Sequence, residues 1–333
     1  MRTHWLGWPF VACLIASASA EKVQPKAKAD AKAKKPKAEK KPKEPKVDVT
    51  TLTADPKLAK ADRIEGEELR GYVAFTFDDG PSPQTTPAVI DALEKYNVPA
   101  TFFIVSQRLL GKNGEKSREV LQRQVKAGFT IASHSYSHPN LRGSNAAKLS
   151  LEVDEAIRIL AKESGKLIGL FRAPFGALDA TSRGWLKKRG LTEAFWSVDT
   201  LDWKANDSER LRKKTIGMIL KQEGGVVLMH DVKPITAKIT ALVLDDLEAE
   251  NCKRLADKKL EPILPVSIHY FIRDKKLQRP IPDEVKKQTD AYRAALPGRC
   301  AKRPAPPPAP AANPDPAVKK PPPAKSDKPL EPK

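Results

Sequence analysis

"YVAFTFDDGP", residues 72 to 81, is the stretch on which the fold turns. Tyr72 to Phe77 is a run of aromatic, β-branched and small apolar side chains, which predicts a strand. Two adjacent carboxylates follow, Asp78 and Asp79, and then Gly80-Pro81, a turn signal. "TTPAVIDALEKY" (85 to 96) comes next with helical periodicity, so the unit reads strand, turn, helix.

Outward from there the unit repeats. Strands are predicted at "ATFFIV" (100 to 105), "GFTIA" (128 to 132), "LIGLF" (167 to 171), "EAFWSV" (193 to 198) and "GVVLM" (225 to 229), with a last one near 261 to 266. Helices are predicted between them at 117 to 127, 146 to 164, 181 to 189, 208 to 222 and 239 to 257. Apolar strands alternating with amphipathic helices indicate an α/β protein with a parallel sheet and crossover connections. About seven such units fit a distorted (β/α) barrel of TIM type; periodicity leaves a doubly wound sheet open, because it does not report closure.

The ends of the chain read differently. An Arg at position 2, an apolar run from Trp5 to Ala16 and "ASA" at 18 to 20 predict a signal peptide over 1 to 20. That implies export, to the periplasm, cell wall or outside. Residues 21 to 67 are assigned as a Lys/Ala/Pro-rich disordered linker and 303 to 333 as a Pro/Ala/Lys-rich disordered tail, since neither holds enough apolar surface to offset ordering. Between them lie the catalytic-type domain, 68 to 275, and an extension, 276 to 302. The formal charge of +19 misleads: residues 21 to 47 carry 11 Lys against 4 acids, and the second tail 6 basic residues against 3 acids. Such tails suit contact with an anionic wall polymer or membrane surface, or serve as plain spacers. No aromatic-basic interleaving argues for nucleic acid. Cys252 and Cys300 remain after processing and fit one disulfide, with two unpaired thiols as the alternative.

The polar residues cluster behind the strands. Asp78 to Pro81 follow the first, His134 and His138 the third, Arg172 to Gly176 the fourth, Asp199 to Trp203 the fifth, and His230-Asp231 the sixth. In a parallel barrel these positions converge at one face, where active sites form. The histidines of "SHSYSHP" (133 to 139) are four apart, the spacing that a helical turn brings to one side. Two imidazoles and a carboxylate form the ligand set of an open catalytic metal site; zinc suits it best, and cobalt or nickel would serve. A second carboxylate supplies a base and a separate histidine an acid. The combination indicates metal-assisted hydrolysis of an acyl bond. The zincin helix motif, a nucleophile elbow and a phosphate loop are absent. Taken singly, each cluster also has a plainer role: a turn at Asp78 to Pro81, a surface cation at Arg172, a core ring at Trp203, a helix cap at His230-Asp231.

"TFDDGPS", "HSYSH", "RAPFG", "DTLDW" and "LMHD", in this order, resemble the five motifs of the polysaccharide deacetylases, the NodB-homology domain of carbohydrate esterase family 4. The resemblance covers about 72 to 270. It implies a distorted barrel with a shallow groove and the hydrolysis of acetyl groups on a polysaccharide with one divalent metal ion. Residue by residue it implies that Asp78 is the general base, that Asp79, His134 and His138 hold the metal, and that Arg172 keeps Asp78 ionised and aimed. It further implies that His230 is the acid, that Asp202 orients it, that Trp203 and Leu228 wall the acetyl group, and that the Phe175 backbone N–H helps hold the oxyanion. Many relatives have Tyr where Phe175 stands; a backbone donor survives that change. The expected substrate is N-acetylglucosamine in peptidoglycan. Chitin oligomers, acetylated xylan and a non-catalytic wall-binding role are the alternatives.

Overall fold

A computed structural model describes residues 63–303 except 113, 258, 259 and 276. The expected signal peptide, the linker as far as residue 62 and the tail from 304 lie outside the described residues.

Strand β1 (Tyr72–Asp78) is the hub of an all-parallel eight-stranded sheet. One edge pairs with β2 (Ala100–Ile104), the other with β7 (Gly224–His230) along all seven residues, and its first two residues also pair with β8 (Leu264–Pro265). Val73 to Phe77 are at most 1% exposed, so both faces of β1 are covered, as a parallel strand between helices requires. Phe77 stacks on Phe102 with ring centroids 5.2 Å apart. Each such ring contributes about 1.5–3 kcal/mol by leaving water. Strands β3 (Thr130–Ser133), β4 (Leu170–Phe171) and β5 (Thr192–Glu193) extend the sheet beyond β2, while β6 (Val198–Asp199) borders β7.

Helices α1 (Thr86–Tyr96), α2 (Gly114–Lys126), α4 (Ala180–Lys188), α5 (Ser208–Gln222) and α6 (Pro234–Asp257) occupy connections between strands. Helix α3 starts as Ala146–Leu149, widens into a π-helical segment at Ser150–Glu155, and ends as Ala156–Ser164. Caps mark their starts. Asp179 and Ser182 form a reciprocal capping box on α4, and Asp207 accepts the N–H groups of Glu209 and Arg210 on α5.

The predicted strand 193 to 198 is not one strand. It splits into β5 and β6, which lie at opposite edges of the sheet. Ala194 donates to Phe171 O on one edge and Ser197 to Val226 O on the other, so these few residues carry the chain across the opening of the curled sheet. Their carbonyls are taken by a side chain instead of a neighbouring strand: Arg172 donates to Ala194 O (3.4 Å) and Phe195 O (2.9 Å). The same opening corrects the linker boundary. Ile64 is fully buried and exchanges backbone hydrogen bonds with Glu193 and Phe195, so residues 63 to 67 belong to the fold. An isolated Ile in a Lys/Ala/Pro-rich stretch gave no periodic signal.

The extension opens with β10 (Leu277–Gln278), which pairs in a short hairpin with β9 (Arg273–Asp274) at the end of the preceding domain, and continues as helix α7 (Asp283–Lys302). A Cys252–Cys300 disulfide joins α6 to α7. Arg303, placed in the tail by composition, pairs with Asp245 of α6 at 2.7 Å.

Candidate active site

All eight strands of the main sheet run parallel, so the residues at their carboxyl ends meet on one face. Asp78, Asp79, His134, His138, Phe175, Trp203, Leu228 and His230 all line a single cavity of 340 Å³, and Arg172 and Asp202 are buried at it.

His134 Nε2 lies 3.6 Å and His138 Nε2 3.2 Å from the same oxygen, Asp79 Oδ1, and one donor atom from each of the three lies within 4.8 Å of the others. His134 Nδ1 is 2.7 Å from Arg172 O. A carbonyl only accepts, so Nδ1 donates, and Nε2 is the ring atom turned toward Asp79. The His138 pKa is lowered by burial and by the neighbouring His134, which keeps its ring in the form that binds metal. Two imidazoles and a carboxylate converging this closely fit a divalent cation of the zinc type.

The pair does not sit on a helical turn, as the spacing suggested. It lies in an irregular loop in which Ser135 (φ 70°) and His138 (φ 65°) take left-handed conformations. Glu152, buried in the π-helical segment, holds that loop. Its carboxylate accepts Tyr136 N–H (3.1 Å), Ser137 N–H (2.9 Å) and Ser137 O–H (2.7 Å). A π-bulge shifts the facing of a helix by a residue, and such bulges recur at functional sites. Glu152 went unnoticed in the sequence, where it reads as one more acid on an amphipathic helix.

Behind the triad, Arg172 is fully buried, not a surface cation. It donates to Asp78 Oδ1 and to Thr76 Oγ1, both at 2.8 Å, and lies 4.0 Å from the Phe103 ring centroid. Thr76 in turn donates to Val227 O at 2.6 Å. The guanidinium is thus bonded on several sides and sets the direction of Asp78. Burial lowers its pKa, opposed by Asp78.

Across the cavity His230 donates its ring N–H and its backbone N–H to Asp202, and Thr236 donates to the same carboxylate. Burial opposes charging of His230, but the Asp202 bond and the charges of Asp202, Asp78 and Asp79 outweigh it, and its pKa is raised to about 9. Thr236 carried no signal of its own, being one Thr in the start of a helix. Trp203 is 53% and Phe175 70% exposed, so neither is a core ring. The Phe175 ring meets His138 edge-on at 4.8 Å.

Asp231 does not cap the following helix. It is fully buried, accepts from Thr86 Oγ1 at 2.6 Å, and leaves Oδ1 without a partner. Burial above all pushes its carboxyl up to about 7. A Cβ at Gly80 would stand 2.2 Å from its Oδ2, so only Gly fits beside the Asp79 turn. Asp199 lines the cavity and accepts from Leu201 N–H.

The sequence matches the family model described as Polysaccharide deacetylase over residues 65–194, a span that holds Asp78, Asp79, His134, His138 and Arg172. A chitooligosaccharide deacetylase from Bradyrhizobium sp. (strain ANU 289) is 34% identical over 163 residues, 49% of this chain and 71% of that protein. The chain belongs to the polysaccharide deacetylase family. A peptidoglycan-N-acetylglucosamine deacetylase from Bacillus cereus is 35% identical over 167 residues, 50% of this chain; the chain spans 58% of that protein's length. The solved structure of a peptidoglycan N-acetylglucosamine deacetylase is 30% identical with a TM-score of 0.50, covering 57% of this chain and 88% of that one.

Proposed function

We propose that this chain is an exported, metal-dependent hydrolase that removes N-acetyl groups from N-acetylglucosamine units of a polysaccharide, with peptidoglycan as the substrate. The observation that carries the reading is that one cavity holds both Asp78, bonded to buried Arg172, and His230, bonded to Asp202. A site for binding alone needs no acid of this kind. The peptidoglycan deacetylase among its relatives supports the substrate; the chitooligosaccharide deacetylase supports chitin oligomers as the second choice.

Asp79, His134 and His138 would hold the metal, zinc best by donor type and cobalt or nickel next. When bound, the ion supplies Lewis acidity toward a carbonyl and toward water. The chain's own residues do the rest. Asp78 takes the proton of the attacking water, whose oxygen forms the new bond to the acetyl carbon. Charged His230 gives its proton to the departing amine nitrogen as the C–N bond breaks, leaving acetate and a free amino sugar. Trp203 and Leu228 wall the acetyl group, and the Phe175 N–H helps hold the oxyanion. The basic tails would keep the enzyme near an anionic wall or membrane surface.

The test is acetate release from peptidoglycan and from N-acetylglucosamine oligomers by the full secreted chain, before and after chelation and zinc add-back. Release that stops with chelator and returns with zinc supports the reading. No release from either substrate by zinc-loaded protein would sink it.

A further inference from the structure

The groove does not end at the catalytic cavity. A second cavity, also of 340 Å³, shares Asp79 and His138 with the first and is otherwise lined by Val105, Gln107, Arg108 and Ser137. A sugar placed with its acetamide at the triad therefore has room for neighbours on two sides. The first side offers Phe175, Trp196 and Trp203, apolar faces of the kind on which sugar rings stack. The second offers a cation.

Arg108 sits on the short 3-10 turn Ser106–Leu109 that follows β2, and its backbone N–H is tied to Val105 O. Its exposed guanidinium has no ion pair or hydrogen bond among the described residues. Lys233, in the first cavity, is the same: only its backbone is bonded. Of the other charges at the groove, Asp78 is matched with Arg172 and Asp202 with His230, and Asp199 lines the first cavity together with Lys233. A divalent ion would offset Asp79 and Asp199 balances Lys233, leaving Arg108, which also attracts the buried Asp231, as the positive charge at the second cavity. A neutral sugar needs no such charge, since amide and hydroxyl groups bind its hydroxyls. An unpaired planar guanidinium is the group that recognises a carboxylate in two-point fashion.

We propose that the second cavity is a subsite for a carboxylate carried next to the deacetylated sugar, with Arg108 as its specificity-determining residue. The inference rests on the deacetylase reading and narrows its substrate to an acidic glycan. In peptidoglycan that carboxylate has two sources: the lactyl ether of the neighbouring muramic unit, or the peptide it carries.

The experiment compares wild type, Arg108→Gln and Arg108→Lys, all zinc-loaded, on three substrates: peptidoglycan strands with their peptides, the same strands stripped by an amidase, and a neutral chitooligosaccharide. The ratio of kcat/KM on carboxylate-bearing strands to that on the chitooligosaccharide is expected to fall about tenfold in Arg108→Gln, mainly through KM, and to recover in part in Arg108→Lys. Raised salt should shrink the wild-type preference. A fall on the stripped strands assigns the lactyl carboxylate; a fall only on peptide-bearing strands assigns the peptide. A ratio that does not change on either overturns the subsite. If wild type releases acetate from none of the three, the deacetylase reading fails instead. Calorimetric binding of stripped strands to wild type and Arg108→Gln then decides the subsite separately, and equal Kd values overturn it.

Discussion

The two oxygens of Asp202 each accept a hydrogen bond from the same residue, His230, one from its backbone N–H and one from its ring, both at 2.7 Å. This clamp fixes the ring in one plane and presents Nε2 to the cavity. It also makes the ring basic, with a pKa near 9 after burial has opposed the charge. An acid of that strength is charged at neutral pH. The alkaline limb of the kcat/KM profile is therefore expected as pH rises through about 9. Asp202→Asn should move that limb down by a unit or more and lower kcat by roughly a hundredfold. The stability sign agrees. A raised folded pKa gives stability that is fully present below the ordinary value of 6.5 and is lost as pH rises through about 9. An unmoved alkaline limb in Asp202→Asn would remove His230 from the acid role.

Zinc should stabilise the protein by mass action if Asp79, His134 and His138 converge on it as their positions indicate. At a free concentration a hundredfold above Kd the gain is about 2.7 kcal/mol, a rise in Tm of several degrees. Asp79→Ala and His138→Ala are expected to lose that rise. Thermal melts with and without zinc check this without any substrate. A rise of the same size in both variants would place the ion elsewhere.

Glu152 governs the loop between the two histidines through three hydrogen bonds. Glu152→Gln replaces one accepting oxygen by an N–H₂ group that faces donors, a loss of about 1–3 kcal/mol at a buried site. We expect zinc affinity to fall by about tenfold or more, as when a group supporting a metal ligand is removed. Competition with a chromophoric chelator measures it. Unchanged affinity with lowered Tm would reduce Glu152 to a structural role.

Asp231 is buried with one oxygen unpartnered, and its pKa near 7 stands well above the ordinary 3.8. The folded state then binds a proton more tightly than the unfolded chain, so stability falls as pH rises from about 4 to about 7. Asp231→Asn keeps an acceptor for Thr86 and removes the charge. It is expected to be more stable than wild type at pH 8, by at least about 1 kcal/mol, and to lose that part of the pH slope. Urea midpoints at pH 5 and pH 8 provide the test, and identical slopes in the two proteins would count against it.

Much of this was legible in the chain before it folded. Strand β1 ends at Asp78, with Asp79 next, because an apolar run stops there, and the same grammar put His134, Arg172 and His230 at or just past the ends of their own strands. Local signals carry that information, because periodicity and turn residues act over a few positions. What escaped was support from a distance. Glu152 reaches Ser137 from 15 residues away, Thr236 meets Asp202 across 34, and Thr76 meets Arg172 across 96. None belongs to a pattern in its own segment. The strand at 193 to 198 failed for the same reason: Phe195, Trp196 and Val198 favour a strand locally, and only the Arg172 guanidinium, arriving from another strand, takes the carbonyls that would have continued it.

By itself, then, the sequence determined the alternation of strands and helices, the face on which its polar clusters gather, and the donor types offered to a metal, since each depends on side-chain chemistry and short spacing. Only the tertiary structure decided how the sheet curls, that Arg172 is fully buried behind Asp78, how strongly His230 holds its proton, and that Arg108 has no ion pair or hydrogen bond to its guanidinium among the described residues. Those are properties of burial and of charges a few ångströms apart in space, and chain order does not encode a distance or a dielectric.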